Sequence, residues 1–165
     1  MTALAGSPAS PKAPSALTRI LLAGLAGGAV DFVYASTLAI LRGRGFERPW
    51  QSVASGWIGK AASDGGWGAV ALGIVTHFGI ATVMALAYVL AASRLPLLTR
   101  RPLLCGALYG LVLYGVMYGI VLPTRFGRAY QWNGVFSVTD ILAHIGVGLA
   151  IALVTARWSG ARGQA

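Results

Sequence analysis

Residues 67–92, WGAVALGIVTHFGIATVMALAYVLAA, form an apolar run that carries no formal charge and one histidine, His77, near its middle. A hydrocarbon core about 30 Å thick is crossed by roughly 20 apolar residues in a helix, so this run is long enough to span a bilayer. Without water to satisfy backbone N–H and C=O groups, such a segment must be helical. Three further runs of similar character follow the same logic: residues 20–41, 103–122 and 137–156. Composition agrees. Of the 165 residues, 56% are hydrophobic and only 10% charged, against about 25% charged in a soluble domain, and the mean hydropathy is +0.71. The expected fold class is therefore all-α integral membrane, with four transmembrane helices in a domain covering residues 17–158, between disordered tails at 1–16 and 159–165.

The net charge is +9, but the basic residues sit in short clusters between apolar runs, where they suit anionic lipid headgroups and not a nucleic-acid surface. Membrane lipids are the expected partners, with no nucleic acid. The tail 1–16 is small, Pro-rich and poor in bulky apolar residues, and cannot bury enough surface to order itself. Cys105, the only cysteine, excludes an intrachain disulfide. No nucleophile elbow, P-loop or HExxH occurs, so no enzyme is expected.

The segment 46–63, FERPWQSVASGWIGKAAS, is not apolar enough to span. Pro49 suits a first helical position, and Trp50, Val53, Ala54, Trp57, Ile58 and Ala61 recur at helical spacing against polar positions. An amphipathic interfacial helix over about 49–62 is expected, with Trp50 and Trp57 at headgroup level. The sharper alternative is a re-entrant segment closing one end of the bundle.

Glycine is abundant, 23 residues, and between membrane helices it lets backbones approach closely. Gly24 and Gly28 in the first span, and Gly106, Gly110, Gly115 and Gly119 in the third, are the candidate helix-packing positions. The third span is expected to stop at Pro123. Leu21–Gly28 (LLAGLAGG) matches Leu103–Gly110 (LLCGALYG), and His77-Phe78-Gly79 matches His144-Ile145-Gly146. Either the chain holds two parallel two-helix repeats, or an Ala, Leu and Gly-rich composition imitates them.

With four spans, both termini lie on one side. Lys and Arg are almost evenly divided between the two faces, with a small bias toward cytoplasmic termini under the positive-inside rule. Taking ~1.5 Å per residue from the opposite face, Asp31 and His77 lie ~15 Å deep, Tyr114 ~12 Å, His144 ~10 Å and Asp140 ~5 Å. A carboxylate, two imidazoles and a phenol from four spans thus share one layer.

Ionisable groups at such depth are costly and point to ion or proton handling, and histidine is the side chain most easily poised near neutral pH. Each residue also has a purely structural reading. Asp31 and His77 can fix helix packing through hydrogen bonds, and Tyr114 can simply pack. Asp140, after Ser137, can cap a helix N-terminus while sharing a face with His144. His77 and His144 also lie at depths that would allow bis-histidine haem ligation. Two histidines without CxxCH are a minimal set, so no cofactor and no metal is expected.

From residue 76 to 157, about half of the chain, the order Thr76-His77, Tyr88, Pro96, Gly106 with Gly110, Pro123, Ser137 ahead of Asp140 and His144, and Arg157 resembles the YagU-type bacterial inner-membrane proteins. The residues before Thr76 and the loop 123–136 fall outside that pattern. The resemblance implies a small multi-pass protein of the bacterial cytoplasmic membrane with a connection to acid tolerance. It includes His77, Asp140 and His144 but not Asp31. Three functional expectations follow: movement or sensing of protons or small solutes through Asp31, His77 and His144; a non-catalytic scaffold whose glycine faces drive self-association; and haem binding.

Overall fold

The computed structural model describes residues 14–158, and most of the tail at 1–16 and all of that at 159–165 lie outside the described residues. The chain is helical, with no strand among the described residues: α1 (Ala16–Leu41), α2 (Glu47–Ile58) running into a 3₁₀ turn (Gly59–Ser63), α3 (Gly66–Arg94), α4 (Leu97–Arg100), α5 (Pro102–Val116), a π-helical turn (Met117–Val121), α6 (Leu122–Phe126) and α7 (Val135–Arg157). Four segments are long and apolar enough to cross a membrane: α1, α3, the continuous stretch Pro102–Phe126, and α7. The protein is a multi-pass membrane protein.

Three boundaries differ from expectation, each for a local reason. Helix α1 starts at Ala16 and not at 20 because the Ser15 hydroxyl accepts the Thr18 N–H at 3.1 Å and caps it. Pro123 does not end the third span. Proline lacks the N–H that an α-helix would direct at the carbonyl four residues back. Here the π turn immediately before it widens the helix, and the Thr124 hydroxyl donates to the Ile120 carbonyl at 2.7 Å. The helix ends instead where Gly127 turns left-handed, φ 61°. The capping box expected at Ser137 is also absent. Helix α7 begins earlier, at Val135, and the Ser137 hydroxyl accepts the Asn133 N–H at 2.8 Å, leaving Asp140 for a different role.

In the bundle, α7 packs between α5 and α1, and α1 packs on α3. Gly24 faces Thr82, where a Cβ would come within 2.7 Å of the Thr82 backbone, and Gly28 faces the Phe78 ring. Gly106 and Gly110 lie against the backbone of α7 at Gly148 to Leu149 and at His144 to Ile145. These two contacts are equivalent under the internal match. Gly28 meets Phe78 as Gly110 meets Ile145, and in the same register Gly24 meets Thr82 as Gly106 meets Leu149. The α1–α3 and α5–α7 pairs therefore repeat a packing geometry as well as a composition. The core between them is formed by Ala23, Ala85, Tyr88, Leu113, Val147, Ile151 and Ala152. Large apolar residues such as Leu25, Val33, Val83 and Leu108 point outward, toward where lipid would lie.

Gly115 and Gly119 are corrections: a Cβ at either would meet nothing within 4 Å, so neither takes part in packing within the chain. Trp50 is another. It is 1% exposed and does not sit at an interface. Its ring stacks on Phe32 at 4.5 Å and meets the edge of His77 at 5.1 Å, while its carbonyl occupies the space a side chain at Gly73 would need. Helix α2 is thus folded in against α1 and α3. Trp57 stays exposed, donating its indole N–H to the Thr76 hydroxyl at 3.0 Å.

Candidate functional site

Asp31 and His77 meet. The Asp31 Oδ2 to His77 Nδ1 distance is 3.7 Å, the only ion-pair contact among the described residues, with side-chain exposures of 29% and 13%. The other ring nitrogen, His77 Nε2, lies 2.9 Å from the Gly28 carbonyl. A carbonyl can only accept, so Nε2 carries a proton, and in the neutral ring Nδ1 then presents its lone pair toward Asp31. Nδ1 and a carboxylate are both acceptors. One proton placed between them, on either partner, turns repulsion into attraction. Gly28 contributes twice: its missing side chain admits Phe78 and Ala81, and its carbonyl sets the His77 tautomer.

Asp140 belongs to a second group. Tyr34 donates its hydroxyl to Asp140 Oδ1, and Tyr118 donates to Oδ2 at 2.8 Å. The Thr139 hydroxyl lies 2.9 Å from that of Tyr34. One phenol on each oxygen fits the acceptor-only carboxylate. Tyr118 comes from the π turn, a device found often at functional sites. His144 lies one turn beyond, its Nδ1 donating to the Asp140 carbonyl at 2.8 Å, which leaves Nε2 as the acceptor. Tyr114 and Tyr118 stand edge-on to the His144 ring at 5.5 and 5.9 Å. The Tyr114 hydroxyl turns away to Tyr130, at 3.1 Å.

A cavity of about 340 Å³ joins the two groups. Asp31, Tyr34, Tyr118, Asp140 and His144 line its interior, and Arg42, Arg44 and Arg48 its mouth. A smaller cavity of about 120 Å³ continues from it between His77 and His144; Asp31, Met117 and His144 line both. Farther along the helices, toward the face bearing the termini, lies the core that includes Tyr88, Leu113 and Ile151.

Of the residues singled out in the sequence, Asp31, His77, Asp140 and His144 line these two cavities, whereas Tyr114 lines neither and reaches the group only through its ring contact with His144. Shared depth placed Asp31 beside His77, but Asp140 binds tyrosines in place of capping a helix. Sequence reasoning missed Tyr34, Tyr118 and the arginine mouth. A tyrosine in a span reads as packing unless its rotation about the helix axis is known. Among the described residues no three His, Cys, Asp or Glu side chains converge as a metal site. His77 has one nitrogen on Gly28 and the other facing Asp31, so it presents no outward lone pair to a haem iron.

No family model, curated protein or solved structure matches this chain.

Removing the Asp140 carboxylate leaves the Tyr34 and Tyr118 hydroxyls without their acceptor. Leaving a buried donor unpaired costs about 1–3 kcal/mol. Because these hydroxyls are only partly buried, Asp140→Ala is expected to destabilise the fold by about 2 kcal/mol and Asp140→Asn by about half as much. Thermal unfolding in mild detergent measures both, and an Asp140→Ala protein as stable as the wild type would remove the carboxylate from the structural core.

Proposed function

We propose that this chain is a proton-responsive protein of a bacterial cytoplasmic membrane, with cytoplasmic termini, that moves or senses protons or small solutes through the Asp31–His77 pair. The observation that carries the reading is the 3.7 Å approach of Asp31 to His77 Nδ1, with the opposite nitrogen fixed on the Gly28 carbonyl. That arrangement makes a one-proton site at the end of a polar cavity. Histidine is the side chain most readily poised to exchange a proton near neutral pH, which suits a response to acidification. The resemblance to the YagU-like proteins, with their connection to acid tolerance, points the same way. The chemistry is binding and proton transfer, without an enzymatic step.

The competing scaffold reading has less support, because Gly24, Gly28, Gly106 and Gly110 are consumed by contacts inside the chain. Only outward positions such as Gly115 and Gly119 remain for self-association.

Trp50 supplies a direct test, since its ring lies 5.1 Å from His77 and an imidazolium quenches a neighbouring indole. Emission of the reconstituted protein is expected to fall on acidification. The change should vanish in Trp50→Phe and in His77→Gln, and its midpoint should move in Asp31→Asn. In parallel, proteoliposomes enclosing a pH dye distinguish movement from sensing. If His77→Gln and Asp31→Asn both fold and both retain the wild-type pH response and proton flux, the proposal is lost.

A further inference from the structure

We propose that Arg44, Arg48 and Arg128 form a binding site for a phosphate group, beside the mouth of the cavity that holds Asp31. Three elements bring these cations together: the turn after α1 supplies Arg44, the first turn of α2 supplies Arg48, and the loop after α6 supplies Arg128. The turn is held by two glycines with positive φ, Gly43 at 65° and Gly45 at 77°. All three arginines line one basin of about 580 Å³, whose other polar lining is Gln51, Ser52, Ser55 and Ser63, with no carboxylate. Among the described residues none of the three arginines has a carboxylate within ion-pair distance. Arg128 makes one long contact, Nη1 to the Ser52 hydroxyl at 3.4 Å.

Gln51, itself 8% exposed, also lines this basin, and its amide can donate into it. Together the basin offers three guanidinium groups and an amide donor, around a space without a counter-charge. A planar carboxylate is satisfied by one fork. Donors from several directions suit a tetrahedral oxyanion, and arginine is the side chain that recognises phosphate bidentately. A lipid headgroup phosphate and a free phosphate or phosphate ester share this chemistry. Basic pockets at membrane faces are known headgroup sites.

The test is thermal unfolding of the purified full chain with two probes. In detergent, inorganic phosphate is titrated against chloride at matched ionic strength. In nanodiscs, phosphatidylcholine alone is compared with phosphatidylcholine mixed with phosphatidylglycerol. Saturable stabilisation by inorganic phosphate would identify a free phosphate or ester site; stabilisation by phosphatidylglycerol alone would identify a headgroup site. Either result is expected to weaken about tenfold in Arg48→Gln/Arg128→Gln, the size of a lost charged hydrogen bond. It should persist in Arg94→Gln/Arg101→Gln, which alters the opposite face. If the first double variant does not fold, Arg128→Gln alone takes its place. The proposal is overturned if phosphate acts no differently from chloride and phosphatidylglycerol no differently from phosphatidylcholine, or if the arginine variants respond as the wild type does. Arg128 lines the basin but not the Asp31 cavity, so a phosphate response lost in Arg128→Gln with the pH response intact separates this site from the Asp31–His77 pair.

Discussion

Gly110→Ala is expected to destabilise the protein by about 2–3 kcal/mol, and Gly110→Leu to prevent folding, although both residues are better helix formers than glycine. The reason is the α5–α7 contact. A Cβ at Gly110 would lie 2.5 Å from the Ile145 Cα and would also overlap the His144 carbonyl. Backbone cannot rotate away as a side chain can, so the helices must separate. Separation would also shift His144, whose ring is held by the Asp140 carbonyl and lines the polar cavity. The control lies farther along the same span. Gly115→Ala and Gly119→Ala meet open space and should leave stability within about 0.5 kcal/mol of wild type. Thermal or denaturant unfolding of the purified variants checks the contrast. Equal responses at Gly110 and Gly115 would mean that the α5–α7 approach is not what fixes this fold.

Trp50→Ala is the second large effect, at about 3–5 kcal/mol, the range for deleting a buried aromatic side chain. The indole fills the space between Phe32 and His77, and its loss would loosen α2 from α1 and α3. Trp50→Phe should cost far less. It keeps the stacked ring and removes an indole N–H that is buried without a partner. A headgroup-level tryptophan would show the opposite pattern, with both substitutions nearly neutral. Trp57→Ala supplies that comparison, since Trp57 is 66% exposed and loses one surface hydrogen bond. If Trp50→Ala is as mild as Trp57→Ala, α2 lies on the membrane surface and not against the spans.

The Trp50 result bears on what a sequence can disclose. In α2 the spacing of apolar residues was legible, and it places Trp50, Val53, Ala54 and Trp57 on related faces. It did not disclose that the face carrying Trp50 would be covered by α1 and α3. An amphipathic helix beside a membrane can put its apolar face into lipid or against protein, and hydropathy is the same in either case. Gly73 was the unread clue. It is the position that gives the Trp50 carbonyl room, but among 23 glycines nothing local distinguishes it. The helix ends were misread for a similar reason. Pro123 and Ser137 carry strong local preferences, and a π turn and an Asn133 contact overrode them.

The sequence by itself determined the number and place of the spans, because hydrophobic length is a local property and a helix rises a fixed distance per residue. For the same reason it placed Asp31 and His77 at one depth, and its internal match identified the glycine pairs that close α1 on α3 and α5 on α7. Only the tertiary structure decided rotation about each helix axis. The spans are apolar almost all round, so their sequence carries little signal for which side turns inward. That rotation chose Tyr34 and Tyr118 as the partners of Asp140, pointed Gly115 and Gly119 outward, and left Arg44, Arg48 and Arg128 around one basin. Depth is fixed by counting along one helix, whereas facing is fixed by packing between helices, where close backbone approach at a few glycines sets the angle.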